Sequence, residues 1–200
     1  MGLGMGASVL VSRYWGIKNS TAGDDDKEKA GKALKQTVCL VLRLDIFLAT
    51  LFALATFFIP NLIMRTYTDK EPIIALGVDY FRMSVITYYF VGLSLVATIV
   101  LRSVGQVFYP LVVSIGAFFI NLVMHYTFIF GNFGAPKMEV AGAALGTLIA
   151  RIFEFTMIIG YLLLADKKIG FRIKDMIMKT GSLFWEYVRI SIPVLIDRKS

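Results

Sequence analysis

Two polar side chains, Asn121 and His125, lie inside a long apolar stretch of the sequence. The stretch runs from Val107 to Gly131 and has no Asp, Glu, Lys or Arg after Pro110. Residues four apart on a helix share one face, so we expect the two side chains to lie together. The imidazole can titrate near physiological pH. Because polar side chains at membrane depth mark ion or substrate pathways, the pair indicates a functional site.

The composition places most of the chain in a membrane. Of its 200 residues, 57% are hydrophobic and only 18% are charged, with a mean hydropathy of +0.71. Soluble domains carry about 25% charged residues. The run from Pro110 to Gly131 is long enough to cross a hydrocarbon core of about 30 Å as a helix. We therefore predict an all-α, polytopic membrane helix bundle, located in the cell membrane as a multi-pass protein.

Further apolar runs supply the other spanning helices of this bundle. Three are long enough to span, and a shorter one, from Met1 to Val11, covers about half of a span. The long runs are Gln36 to Ile59, Gly77 to Leu101 and Val140 to Ala165. The first polar connection, residues 16–35, is expected to be a solvated loop that becomes helical from about Lys29.

The net charge of +7, from 21 Lys and Arg against 14 Asp and Glu, is concentrated between the apolar runs. This distribution follows the positive-inside rule and argues against nucleic acid as a partner. If the spans alternate, the connections at residues 13–35, 102 and 167–179 share one side. These connections hold most of the basic residues, so that side is predicted to be cytoplasmic.

Several charged residues within the helical segments have an oppositely charged residue two or three positions away in the sequence. Arg151 and Glu154 are spaced i, i+3 and can pair on one face, and Glu186 and Arg189 have the same spacing. Arg43 and Asp45 are two apart, point in different directions and need other partners. For Arg151 with Glu154 and for Arg43 with Asp45, a structural role is favoured over transport chemistry. Gly142, Gly146 and Ala150 form a stripe of small residues that predicts close helix packing.

Aromatic side chains lie near the middle of the span from Gly77 to Leu101. Tyr88 and Tyr89 could line a cavity for lipophilic cations through their ring faces. Helix packing is the alternative interpretation of both residues.

The sequence offers no pattern typical of an enzyme. The single Cys39 excludes an internal disulfide and a metal cluster of cysteines. The only histidine lies within a span, and no catalytic triad, metal motif or phosphate-binding loop has the required spacing. We therefore predict no catalytic residues, no metal site and no cofactor.

Six motifs carry a resemblance to a known family. In order they are GMGASVLVSRYWG, FFIPNLIMRTYT, VDYFRM, LRSVGQVFYPL, NLVMHYTFIFGNFG and EVAGAALGTLIAR. Together they cover nearly the whole chain, which resembles the MATE family of multidrug and toxic-compound extrusion transporters. The resemblance implies part of the N-terminal lobe of a twelve-helix MATE-like transporter. Residues 1–182 would run from the end of helix 2 through helix 6 to a cytoplasmic connection, and residues 183–200 would begin helix 7.

The resemblance implies cation-coupled efflux. An organic cation would leave through the bilayer while a proton or sodium ion enters, and helix 1 and the C-terminal lobe, both missing from this chain, would be needed for activity. Two alternatives are a lipid-linked oligosaccharide flippase of the same superfamily and a nonfunctional truncated membrane fragment.

The resemblance also implies roles for Asn121 and His125. Many members use an Asn and often an Asp of helix 5 in a cation site. Asn121 matches that Asn, whereas His125 stands at the Asp position, which weakens a sodium site and favours protons. The alternatives are that Asn121 acts as interhelical glue and that His125 is a buried imidazole hydrogen-bonded to a neighbouring helix.

Overall fold

The computed structural model describes residues 2–21 and 23–196, and within these ranges the chain is helical without a strand. The α-helices of this part are α1 (Gly2–Lys18), α2 (Asp24–Phe58), α3 (Pro60–Arg65), α4 (Glu71–Ser103), α5 (Phe108–Phe130), α6 (Glu139–Gly160) and α7 (Gly181–Ile196). Helices α2, α4, α5 and α6, the last continued to Ala165, are long and apolar enough to cross a membrane. The predicted all-α membrane fold is confirmed.

The predicted boundary at residue 182 falls at the start of α7, which begins at Gly181. The division into lobe and next helix stays a prediction, and residues 197–200 of its second part lie outside the described residues.

Helix α2 begins earlier than the expected start near Lys29. Its first turn holds Asp24, Asp25 and Asp26, whose negative charges are favourable at the positive end of the helix dipole. One turn later, Lys29 Nζ lies 2.6 Å from Asp25 Oδ2 in an i, i+4 ion pair. The charged segment therefore extends the spanning helix instead of forming a loop.

The turn between α4 and α5 depends on one glycine. Gly105 has φ +74°, a left-handed conformation that glycine adopts without steric cost. The N–H of Gln106 then donates to the Leu101 carbonyl at 2.9 Å and closes the end of α4. The turn directs Gln106 toward the residues that follow α6.

The described residues form two compact units. The first contains Met1–Asp45, Leu93–Pro110 and Ile158–Ser200, and the second contains Ile46–Gly92 and Leu111–Met157.

In the first unit, α1 and α7 are joined by Glu186. Its carboxylate lies 2.9 Å from Arg13 Nη1 and accepts the Tyr14 hydroxyl at 2.8 Å. The expected i, i+3 pairing with Arg189 is thus replaced by a contact between distant segments.

The end of α6 is fastened to the α4–α5 turn through a buried carboxylate. Tyr161–Ala165 form a π-helical turn, after which Asp166 is fully buried. Asp166 accepts the side-chain N–H of Gln106 and the backbone N–H of Ile169, each at 2.9 Å. Gln106 Oε1 in turn accepts the Tyr161 hydroxyl at 2.5 Å. These bonds hold the α4–α5 turn against the segment that follows α6.

We expect Asp166→Ala to lower the free energy of unfolding by about 1–3 kcal/mol, because it leaves several buried donors unpaired. The measurement is the thermal unfolding midpoint of the purified whole protein. Asp69→Ala is the matched control, since Asp69 is exposed in the connection between α3 and α4. Equal midpoints for the two variants would contradict this role of Asp166.

Candidate functional site

Helices α5 and α6 of the second unit approach each other closely at two glycines. A Cβ atom on Gly142 would lie 2.6 Å from the Phe128 carbonyl oxygen. A Cβ atom on Gly146 would lie 2.7 Å from His125 Cδ2. The predicted small-residue stripe is confirmed as a packing surface at its two glycines, because no larger side chain fits at these positions.

A cavity of about 470 Å³, the α5–α6 cavity, lies beyond this contact. Each helix lines it with residues spaced over two turns, so each contributes a single face. The lining residues are Ser114, Ala117, Phe118 and Asn121 of α5 and Thr147, Ala150, Arg151 and Glu154 of α6.

An ion pair occupies the end of the cavity remote from the glycines. Arg151 Nη1 lies 2.6 Å from Glu154 Oε2, which confirms the pairing expected from their i, i+3 spacing. Ser114 Oγ donates to Glu154 Oε1 at 3.2 Å. The Glu154 side chain is 12% exposed and that of Arg151 is 42% exposed. A carboxylate and its counter-ion are therefore part of the cavity wall as well as a structural pair.

Asn121 lies half-buried on the α5 wall of this cavity. Within the described residues its side-chain amide makes no hydrogen bond to another protein group. An amide in this position can offer its oxygen to a cation or its N–H groups to an acceptor.

His125 faces α6 and does not line the cavity directly. Its Nε2 lies 3.1 Å from the Ala143 carbonyl oxygen and 3.1 Å from Thr147 Oγ1. The Thr147 hydroxyl itself donates to Ala143 at 3.0 Å, so Nε2–H can donate to either oxygen. This is the contact that the packing alternative predicts. Thr147 also lines the cavity, so one hydroxyl links the imidazole to the space beside Asn121.

The two predicted tyrosines lie elsewhere in the second unit. The Tyr89 hydroxyl donates to Thr50 Oγ1 of α2 at 3.1 Å, and the Tyr88 hydroxyl interacts with the side chain of Thr56. Neither residue belongs to the wall of the α5–α6 cavity. Their role in lining a substrate path stays a prediction, and the structure does not bring them together with Asn121 at this cavity.

Arg43 and Asp45 do not pair with each other, as their spacing predicts. Arg43 Nη2 donates to the Met176 carbonyl at 2.6 Å. Asp45 Oδ2 is buried and has no hydrogen-bond partner within the described part of the chain. No group of three or more His, Cys, Asp and Glu side chains suited to a metal ion is found among the residues at 2–21 and 23–196.

Of the polar residues at the cavity, Asn121 and the Arg151–Glu154 pair are expected from the sequence, whereas Ser114 and Thr147 are not. Ser114 and Asn121 are seven residues apart, as are Thr147 and Glu154. Seven residues are two helical turns, so this spacing already places each pair on one face. The spacing does not indicate how α5 and α6 are rotated about their axes, and this rotation turns the two faces toward each other.

A family model and several curated proteins match this chain, and two of these proteins are described here. The MatE family model matches residues 1–127. The probable multidrug resistance protein YoeA of Bacillus subtilis is 28% identical over 165 residues, which are 81% of this chain and 33% of that protein. The probable multidrug resistance protein NorM of Thermotoga maritima is 32% identical over 108 residues, 53% of this chain and 23% of that protein. The chain thus spans a third or less of the curated relatives it matches.

The fold agrees with a solved transporter structure. A multidrug resistance MATE family transporter of the MOP superfamily, in its inward-facing conformation, superposes with a TM-score of 0.78 at 18% identity. The match covers 96% of this chain and 40% of that one, the share expected for most of one lobe. The chain described here is a multi-pass membrane protein and belongs to the MATE family.

Proposed function

We propose that this chain is part of a cation-coupled exporter of organic cations. The observation that carries the proposal is the α5–α6 cavity, where the Glu154 carboxylate and the unbonded Asn121 amide face one space within helices that can span a membrane. The curated relatives are named as probable multidrug resistance proteins, which supports the same cargo class.

The charge of the cavity disfavours an anionic cargo. Its single cation among the lining residues, Arg151, is neutralised by Glu154. A lipid-linked oligosaccharide carries phosphate groups, which need free cationic donors. The residues that line this cavity therefore include no unpaired cationic side chain for such a phosphate, which argues against the flippase alternative.

Protons fit the residues of this site better than sodium does. Sodium requires several oxygen ligands, and the position one turn after Asn121 holds an imidazole instead of a carboxylate. His125 can accept a proton at Nδ1 while Nε2–H keeps its bonds to Ala143 or Thr147. Only the Thr147 hydroxyl would separate the resulting imidazolium from the cavity. Its positive charge would repel a cationic substrate there. Proton entry and substrate occupancy would then exclude each other, as antiport requires.

We expect Asn121→Ala to reduce export about tenfold, because a polar contact to a cation is lost from the α5 wall of the cavity. Initial rates of fluorescent-cation transport by the whole protein in proteoliposomes with an imposed pH gradient measure the effect. Asn61→Ala, at an exposed position of α3, is the matched control. A fall in protein abundance at an unchanged rate per molecule would instead assign Asn121 to packing.

We expect His125→Gln to flatten the dependence of transport rate on pH, since glutamine can keep a hydrogen bond to α6 and does not titrate. The rate is measured from about pH 5.5 to 8.5, the range around the ordinary pKa of histidine. Thr156→Val serves as control, because Thr156 is an exposed threonine of α6 outside the cavity and its hydroxyl donates to the Ile152 carbonyl of its own helix. An unchanged pH profile in His125→Gln would exclude His125 from coupling.

We expect Glu154→Gln to raise the KM for a cationic dye about tenfold, because it removes the negative charge and leaves Arg151 unpaired in the cavity. Glu139→Gln is the control, as Glu139 is exposed and pairs only with Lys137, at 3.1 Å. Saturation curves for the two variants give the comparison. A KM equal to that of the unmodified protein, or a gain in movement of an anionic lipid-linked sugar, would overturn the assignment of the cargo.

A further inference from the structure

A second cavity lies between α1 and α4 in the first unit and shares no lining residue with the α5–α6 cavity. It measures about 520 Å³, and we call it the α1–α4 groove. On each helix three of the lining residues are spaced four apart and lie along one face, at positions 4, 8 and 12 of α1 and 95, 99 and 103 of α4. The lining residues are Gly4, Met5, Ser8 and Ser12 of α1 and Leu95, Ile99, Arg102 and Ser103 of α4.

One end of the groove is apolar. A side chain at Gly4 would overlap Ile99, so the glycine lets the two helices form a closed floor. Met5 and Leu95 stand at the flanks, and each is 42% exposed. In a membrane this open apolar space has the chemistry to take a hydrocarbon chain.

The other end of the groove is polar and positively charged. The hydroxyls of Ser8 and Ser103 hydrogen-bond at 3.0 Å, and Ser12 Oγ donates to the Ser103 carbonyl at 3.3 Å. Arg102 lies beside them in the last turn of α4, exposed, and has no ion pair or side-chain hydrogen bond within residues 2–21 and 23–196. Its guanidinium is thus free to bind an anion.

Features around the polar end place it at the level of the lipid headgroups. Trp15 follows the groove residues on α1, and tryptophan is enriched at membrane interfaces. The ammonium groups of Lys18 and Lys168 lie 5.5 and 6.0 Å from its ring centroid. Both ammonium groups donate to backbone carbonyls, Lys18 to that of Lys168 and Lys168 to that of Val104, so their positive charge is not cancelled by these bonds.

We propose that the α1–α4 groove binds one anionic phospholipid. An acyl chain lies against Met5, Leu95 and Ile99, and the phosphate is bound by Arg102. Charge complementarity selects this occupant: the guanidinium fork matches a phosphate, and the positively charged side of a membrane protein faces anionic lipid headgroups. The groove is apolar at one end and cationic at the other, near the end of α4, just as a phospholipid has acyl chains at one end and a phosphate at the other.

The test is native mass spectrometry of the purified whole protein, titrated with phosphatidylglycerol or phosphatidylcholine that carry identical acyl chains. We expect one phosphatidylglycerol to be retained in preference to phosphatidylcholine. Arg102→Gln should lower the affinity for phosphatidylglycerol about tenfold, and Arg102→Lys should lower it less. Arg82→Gln is the matched control, since Arg82 is an exposed arginine of the same helix outside the groove. Equal retention of the two lipids, or unchanged affinity in Arg102→Gln, would overturn the proposal.

A second measurement does not depend on the arginine variants. Leu95→Trp adds bulk at the apolar end and is expected to reduce phosphatidylglycerol retention with Arg102 intact. A photoreactive group at position 5 should crosslink to lipid in the membrane. Crosslinking to another segment of the protein or to a second copy would show that the groove is a protein contact and would refute lipid binding. Because no groove residue lines the export cavity, loss of lipid binding and loss of transport are scored separately.

Discussion

The backbone contact of α6 with α5 at Gly142 and Gly146 is the constraint on which the candidate site depends. It brings the His125 ring against α6, where Nε2 reaches the Ala143 carbonyl and the Thr147 hydroxyl. Hydrocarbon offers no hydrogen-bonding partners, so an imidazole held away from α6 would leave a polar nitrogen unsatisfied. The small residues therefore stabilise the polar ones, because a larger side chain at Gly146 would displace the His125 ring from its partners on α6.

Much of the fold could be predicted from the sequence because lipid imposes simple rules. Spanning helices need long apolar runs, and the run from Pro110 to Gly131 falls almost entirely within α5. Local spacing gave the Arg151–Glu154 pair, since i, i+3 neighbours meet on any helix. The same rule failed for Glu186, whose partner Arg13 is 173 residues away. Spacing along one helix carries no information about which distant helix will lie beside it.

The candidate site could be predicted only in part for a related reason. Asn121 and His125 stood out as polar residues in an apolar run. The pattern did not show that Asn121 lines the cavity whereas His125 contacts α6. Ser114 and Thr147 gave no signal, because hydroxyls are common in membrane helices and bond readily to their own backbone. Their place beside Glu154 follows from the rotation of α6 about its axis, which the glycine contact sets and composition does not.

The position of that glycine contact has a mechanical consequence. Helices α5 and α6 touch at Gly142 and Gly146, and Glu154, at the other end of the cavity, lies eight residues beyond Gly146 on α6. At 1.5 Å per residue this distance is about 12 Å. A change of roughly 10° in the angle between the helices at the glycines would displace Glu154 by about 2 Å. Such a displacement would break the 3.2 Å hydrogen bond from Ser114 to Glu154, so that bond resists a change of angle between the two helices.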